Sequence, residues 1–150
     1  MSGLPIIGSG SGGGGVWGAI SGTLSNQTDL QNALNLKKNL VENTISTTNN
    51  TPTTIRTFAT ASNISYSINV IFSARRTDVV GDTASFRRSY LVKNIGGTVS
   101  IVLTQTDFTA KDNPNLDVTA SVSGTNILFR VIGETGQNYN WKSSIEWSEV

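Results

Sequence analysis

The chain has 150 residues, a net charge of +1 and 14% charged residues, with Lys and Arg scattered along the sequence. This length suits one domain with a tail, and the scattered charge argues against nucleic acid and anionic membrane as partners. The absence of cysteine and histidine excludes disulfides, thiolate or imidazole metal sites, and catalysis of the Ser-His-Asp and Cys-His types.

Residues 1–24 are predicted to form a Gly-rich, flexible N-terminal arm. They carry no charged side chain, and the glycine and serine run from Gly8 to Gly15 is typical of a tether. A short apolar segment precedes the tether, and we expect it to anchor the chain to another protein as an added strand. The alternative is a terminus without a function. The predicted anchor consists of Leu4, Pro5, Ile6 and Ile7.

Residues 25–40 are predicted to form a short amphipathic helix. Ser25 is a suitable N-cap, and an apolar stripe follows it at helical spacing. A short helix needs a packing partner, which is either its own domain or two further copies of the chain; both interpretations stay open. The predicted trimer interface consists of Trp17, Ile20, Leu30, Ala33 and Leu34.

Residues 41–150 are predicted to form an antiparallel β-sandwich or jelly-roll-like domain of about seven short strands. Apolar and polar residues alternate in several runs, as in strands that are buried on one face. Turn signals such as Gly96-Gly97 separate the runs, and residues 44–54 are left as a connector. The alternating apolar positions are Tyr66, Ile68, Val70 and Phe72; Val99, Ile101 and Leu103; Val118, Ala120 and Val122; Ile127, Phe129 and Val131; and Tyr139, Trp141, Ile145 and Trp147.

Polar loop residues are the remaining candidates for binding. Phe108, Asp112 and Asn115 are predicted to contact a surface ligand if the domain has one. Asp107, Asp112 and Asp117 could bind calcium or supply a glycosidase pair, but their spacing does not match an EF-hand and gives no carboxylate separation. A polar turn is therefore expected there, with no metal, no cofactor and no enzymatic activity.

Two further sets of side chains have structural and functional interpretations. Tyr139, Trp141 and Trp147 form a stripe that could stack on sugars, but so apolar a strand favours the core or a subunit interface. In the pair Arg87-Arg88, strand alternation directs one side chain outward and the other to the opposite face.

Four sequence patterns resemble bacteriophage tail-fibre and other virion-appendage proteins. In the β-domain they are A-R-R-x-D followed by G-D-x-A-x-F at 74–86, V-K-x-x-G-G-T at 92–98 and V-x-G-x-x-G-x-x-x-x-W at 131–141. Upstream, W-G-x-I-x-G-x-L-x-x-Q-T-D-L-x-x-A-L at 17–34 is similar to the stretch that precedes trimeric sections of such fibres. The resemblance implies a non-enzymatic homotrimer that is attached to the virion by its N-terminus.

The short segment before the β-domain favours a short head fibre or decoration protein over a long fibre. The predicted function is therefore a structural component of a phage virion, made in the host cytoplasm and located in the particle. Its predicted partners are further copies of itself and a capsid, tail or neck protein, with neither nucleic acid nor membrane. The alternative is an adhesin or lectin-like tip that binds a host receptor or cell-surface glycan.

Overall fold

The computed structural model describes residues 41–150, which form eight β-strands. The predicted anchor and trimer residues Leu4, Pro5, Ile6, Ile7, Trp17, Ile20, Leu30, Ala33 and Leu34 lie outside the described residues. Within residues 41–150, no helix is long and apolar enough to cross a membrane. The strands are β1 Val41–Thr47, β2 Thr53–Ala59, β3 Ile64–Arg76, β4 Thr83–Ile95, β5 Thr98–Lys111, β6 Asp117–Ser123, β7 Asn126–Ile132 and β8 Tyr139–Glu149.

The strands pair into two sheets. The large sheet has the order β1-β8-β3-β4-β5, and the small sheet has the order β2-β7-β6. Every pair is antiparallel, and the two inner faces enclose one apolar core. The predicted antiparallel β-sandwich is confirmed.

The core forms where the predicted alternation places apolar side chains between the sheets. Ile68, Val70 and Phe72 of β3 are each 0% exposed, as are Ile127, Phe129 and Val131 of β7. The ring of Tyr90 in the large sheet lies 5.2 Å from that of Phe129 in the small sheet, centroid to centroid. Burial of each such side chain stabilises the fold by roughly 1.5–3 kcal/mol.

Two of the predicted alternations fail near their ends. Leu103 is 54% exposed and Val122 is 42% exposed, although both were predicted to face inward. For Leu103 the cause is a β-bulge: Val92 pairs with Ile101, whereas the preceding Leu91 pairs with Leu103. The extra residue, Val102, reverses the alternation beyond it.

The predicted connector at 44–54 is wrong in its extent. Only residues 48–52 form a loop, because β1 pairs with β8 and β2 pairs with β7. Five of the 14 residues in these two strands are threonine, whose branched Cβ suits a pleated strand. The alternation test misses these strands because their sequences contain few apolar side chains.

The aromatic stripe of β8 contributes to the core, as predicted. Tyr139 is 0% exposed and Trp141 is 1% exposed, while Trp147 is partly buried against the cluster. The arginine pair also follows the predicted alternation, since Arg88 is only 8% exposed and Arg87 is exposed.

Candidate functional site

A row of polar side chains crosses the outer face of the large sheet. The register places Asn69 of β3 opposite both Glu146 of β8 and Ser89 of β4, and Ser89 reaches Asp107 of β5. We call Glu146, Asn69, Ser89 and Asp107 the polar row. It spans four neighbouring strands, so it is about 14 Å long at an interstrand spacing of roughly 4.8 Å.

Hydrogen bonds order the centre of the polar row. Ser89 Oγ lies 2.9 Å from Asn69 Oδ1 and within hydrogen-bond distance of Asp107 Oδ2. A hydroxyl has one proton, so Ser89 donates to the carboxylate, and the amide of Asn69 is best oriented with its NH₂ toward Ser89. A bulge places Asp107 there, because Arg87 pairs with Phe108 and Arg88 pairs with Thr106.

The polar row forms the floor of a shallow depression of about 480 Å³. Ile71, Arg87 and Ser144 complete its lining, and Phe108 shares a neighbouring hollow with Ile71 and Arg87. On the other side of the row, Leu91 pairs with Leu103. Half-exposed apolar side chains therefore flank a polar centre on both sides.

The charged groups of this surface have no ion-pair partner within residues 41–150. Among the described residues, ion pairs join Arg76 to Asp78 and Asp82, and Lys142 to Glu42. Arg87, Asp107 and Glu146 take part in none of these pairs. Carboxylate, amide and guanidinium groups above apolar carbon are suited to a hydroxylated ligand with an apolar face.

The predicted surface-binding residues lie at separate places. Phe108 is 52% exposed and borders the depression. Asp112 directly follows β5, where its carboxylate accepts hydrogen bonds from the backbone N–H of Thr83 at 3.0 Å and from the hydroxyl of Thr83 at 3.1 Å. Asn115 donates its backbone N–H to Asn113 Oδ1 at 2.9 Å. The structure does not bring the three residues into one cluster.

The acids considered for calcium also have separate environments. In the part of the chain that the structure describes, no group of three acidic residues converges as a metal site requires. Asp117 accepts the backbone N–H of Val118 at 2.8 Å. Asn69, Ser89 and Glu146 are not predictable as site residues from the sequence, because only the strand register aligns them with Asp107.

A second polar cluster closes one end of the sandwich, which we call the network end. Arg76 Nε donates to Asp78 Oδ1 at 2.8 Å and fastens the β3–β4 turn. Tyr139 Oη lies 2.9 Å from Asp82 Oδ2 and 2.6 Å from Gln137 Oε1, which joins this turn to the β7–β8 loop. The Arg76 hydrogen bond lowers the pKa of Asp78 to about 2, and burial together with the hydrogen bond to Asp82 raises the pKa of Tyr139.

The β7–β8 loop also packs tightly against the end of β1. The indole N–H of Trp141 donates to Thr47 Oγ1 at 2.9 Å, and this bond is buried. Gly133 lies against the same threonine: a Cβ at this glycine would be 2.3 Å from Thr47 Oγ1 and 2.8 Å from the carbonyl oxygen of Asn49. A side chain at position 133 therefore has no space.

No protein-family model matches the chain, and no curated protein matches it. Three solved structures with local similarity are phage tailspike proteins. The tailspike of Acinetobacter baumannii phage AM24 is 12% identical with a TM-score of 0.39, over 72% of this chain and 26% of its own. The tailspike of Acinetobacter phage vB_ApiP_P1 is 16% identical with a TM-score of 0.38, over 75% of this chain and 23% of its own.

The third is tailspike gp49 of the A. baumannii bacteriophage Fri1, a capsular polysaccharide depolymerase. It is 14% identical with a TM-score of 0.28, over 73% of this chain and 18% of its own. The chain therefore spans about a quarter or less of the length of each tailspike.

The expectation that the chain is not an enzyme is corrected by these neighbours, one of which is a depolymerase. That expectation depended mainly on the absence of histidine and cysteine. Cleavage of glycosidic bonds requires neither residue, since a pair of carboxyl groups is sufficient, and the chain contains 10 Asp and Glu residues. The composition therefore does not exclude glycan cleavage.

Proposed function

We propose that this chain is a component of a phage virion appendage. In this proposal it is a short homotrimeric fibre or decoration protein, attached to a capsid, tail or neck protein through Leu4–Ile7, with its β-sandwich facing outward. The helix at 25–40 supplies the trimer seam. The chain mass of 15.9 kDa then corresponds to an assembly of about three times that value.

One observation carries the proposal: the residues that resemble virion-appendage proteins are the residues that fix this fold. Arg76, Asp78 and Asp82 belong to the first pattern and hold the β3–β4 turn. Gly133 and Trp141 belong to the last pattern and pack against β1. A shared set of such contacts is expected when a resemblance reflects a common β-domain rather than similar composition.

The direction of β1 supports outward display of the network end. The strand begins at Val41, which pairs with Ile145 halfway along β8, and runs to Thr47 opposite Tyr139. Six steps of a strand cover about 20 Å, so the chain enters the domain about 20 Å from the network end. In the proposed appendage, the loops of the network end then face outward.

The experiment compares virions assembled with the full chain and with a chain that lacks residues 1–15. The truncated protein is expected to fold and to be absent from purified particles, since it lacks the anchor. A second variant that lacks only Gly12–Gly15 keeps the anchor and controls for arm length; it is expected to remain on particles. Incorporation of the truncated protein at normal occupancy would refute anchoring through Leu4–Ile7, and absence of the full chain from virions would refute the virion role.

A second candidate function, binding of a host glycan, is favoured by the polar row and its apolar flanks. Sugars present hydroxyls at the ring edge and C–H groups on the ring face, and the depression offers partners for both. Asp107→Ala and Asn69→Ala should each weaken retention on host surface polysaccharide at least tenfold. Thr119→Ala, on β6 of the small sheet, is the matched control. Equal retention of all variants would refute this function, and the length of the recovered glycan shows whether it is also cleaved.

A further inference from the structure

The edge strand β5 of the large sheet is more exposed than the neighbouring strands of the same sheet. All ten residues from Val102 to Lys111 are exposed, although they form one continuous strand with Thr98–Ile101. Among the described strands only β4 pairs with β5, which lies at the edge of the sheet. In a one-chain sandwich, an edge strand normally buries at least its inner face.

The inner face of β5 is uncovered where its neighbour is covered. Thr104 pairs with Tyr90 and Thr109 pairs with Phe86; the two aromatic residues are 3% and 0% exposed, whereas both threonines are exposed. The small sheet therefore covers β4 and the beginning of β5, where Val99 is buried, and leaves residues 102–111 uncovered. The β-branched threonines favour a strand that a further element can cover.

The outer face and the free edge of β5 are uncovered as well. Leu103 and Phe108 are 54% and 52% exposed on the outer face. An edge strand of this length with so few charges is a template for pairing with another chain unless it is blocked. Asp107 and Lys111 are its only charged residues, and no proline occurs in it. Its bulges at Val102 and Asp107 divide the edge into three regularly paired segments, 98–101, 103–106 and 108–111.

Side-chain hydrogen bonds hold the exposed strand in place. Buried Arg88 donates from Nη1 to the carbonyl oxygen of Phe108 at 2.9 Å and to Thr109 Oγ1 at 3.0 Å. Lys111 Nζ donates to the carbonyl oxygens of Pro114 and Leu116 at 2.7 and 2.8 Å. A strand fixed in this way loses little further entropy when a partner binds.

We propose that a second copy of this chain covers β5. Charge favours this occupant: Arg87 of β4, Asp107 of β5 and Glu146 of β8 lie on the outer face without ion pairs among the described residues. A surface that carries both signs can complement a copy of itself. Each copy also brings free edges, since β1 and β5 end the large sheet, and a free edge can pair with the edge of another sheet.

The test is hydrogen exchange of the full chain at several concentrations, with the mass measured in parallel by light scattering. At high concentration, the amides on the free edge of β5 should exchange at least tenfold more slowly than at low concentration, and the change should follow the mass. Thr104→Lys, on the exposed inner face, should abolish the slow exchange. Thr119→Lys is the matched control on β6, where threonine is also exposed; it should behave like the parent chain.

Three results would overturn the inference. Rapid exchange of the β5 edge at all concentrations up to about 100 µM would show that nothing covers it. Slow exchange in a monomer would show that another part of the same chain covers β5. A trimer whose β5 edge exchanges rapidly would place the contact elsewhere, while the homotrimer of the proposed function would stand.

Discussion

Gly133 is the position at which the smallest addition should be most damaging. In Gly133→Ala the new Cβ would lie 2.3 Å from Thr47 Oγ1 and 3.0 Å from Thr47 Cβ, so the end of β1 must move. Overpacking of this kind costs about 1–3 kcal/mol. Movement of Thr47 also removes the acceptor of the buried Trp141 N–H, and an unsatisfied buried donor costs roughly 1–3 kcal/mol more.

The expected loss is therefore about 2–6 kcal/mol of the free energy of unfolding, or a Tm lower by roughly 10–20 °C. Urea unfolding followed by tryptophan fluorescence measures the loss. Gly136→Ala is the control in the same loop: its φ is +78° and no atom lies within 4 Å of the added Cβ, so it should cost only the ~1–2 kcal/mol of left-handed backbone.

A double-mutant cycle with Thr47→Ala separates the clash from other effects. Thr47→Ala alone removes the acceptor, and in its presence Gly133→Ala has neither the hydroxyl to displace nor the hydrogen bond to break. The double variant should then lose at least 1 kcal/mol less free energy of unfolding than the two single variants lose together, since the effects of substitutions at contacting residues are not additive. Strict additivity, or a loss below about 0.5 kcal/mol for Gly133→Ala, would refute this account.

Three further predictions concern single side chains. The pKa of Asp78 is lowered to about 2, so its stabilising effect is present above pH 4 and is lost as the pH falls toward 2; Asp78→Asn should flatten the acid unfolding curve in that range. Burial raises the pKa of Tyr90 to about 12, so stability should fall between pH 10 and 12, and Tyr90→Phe should remove part of that fall in alkaline melting curves. Arg88→Met keeps the buried volume but loses the bonds to β5; hydrogen exchange near Phe108 should accelerate at unchanged global Tm, and unaltered exchange would contradict the anchoring role.

The sequence alone predicts the class of this fold because strand burial leaves a period of two. Phe72, Phe129 and Val131 are each buried, as that period requires. The period fails at Leu103, where a bulge adds one residue, and bulges have no reliable signature in side-chain polarity. It also misses β1 and β2, whose threonine-rich sequences are compatible with loops and strands alike.

The candidate site could not be predicted, for a different reason. Glu146, Asn69, Ser89 and Asp107 come from four strands and are aligned by pairing between β8, β3, β4 and β5. Neither a motif nor a spacing links them along the chain. Phe108 is the one predicted binding residue at the margin of the depression, and its neighbour Asp107 was weighed only for calcium and for a carboxylate pair.

The two polar clusters of the domain should differ in how they respond to substitution. At the network end, Tyr139 and Asp82 connect loops to the core, so substitutions there are expected to lower the stability of the whole domain. On the outer face, Asn69 and Ser89 bond each other on the solvent side of the large sheet, and exposed substitutions away from caps and cores usually change stability by less than about 0.5 kcal/mol. Substitutions on the outer face can therefore accumulate while the network end stays fixed. For this reason the motifs at the network end indicate a fold and carry no information about a ligand.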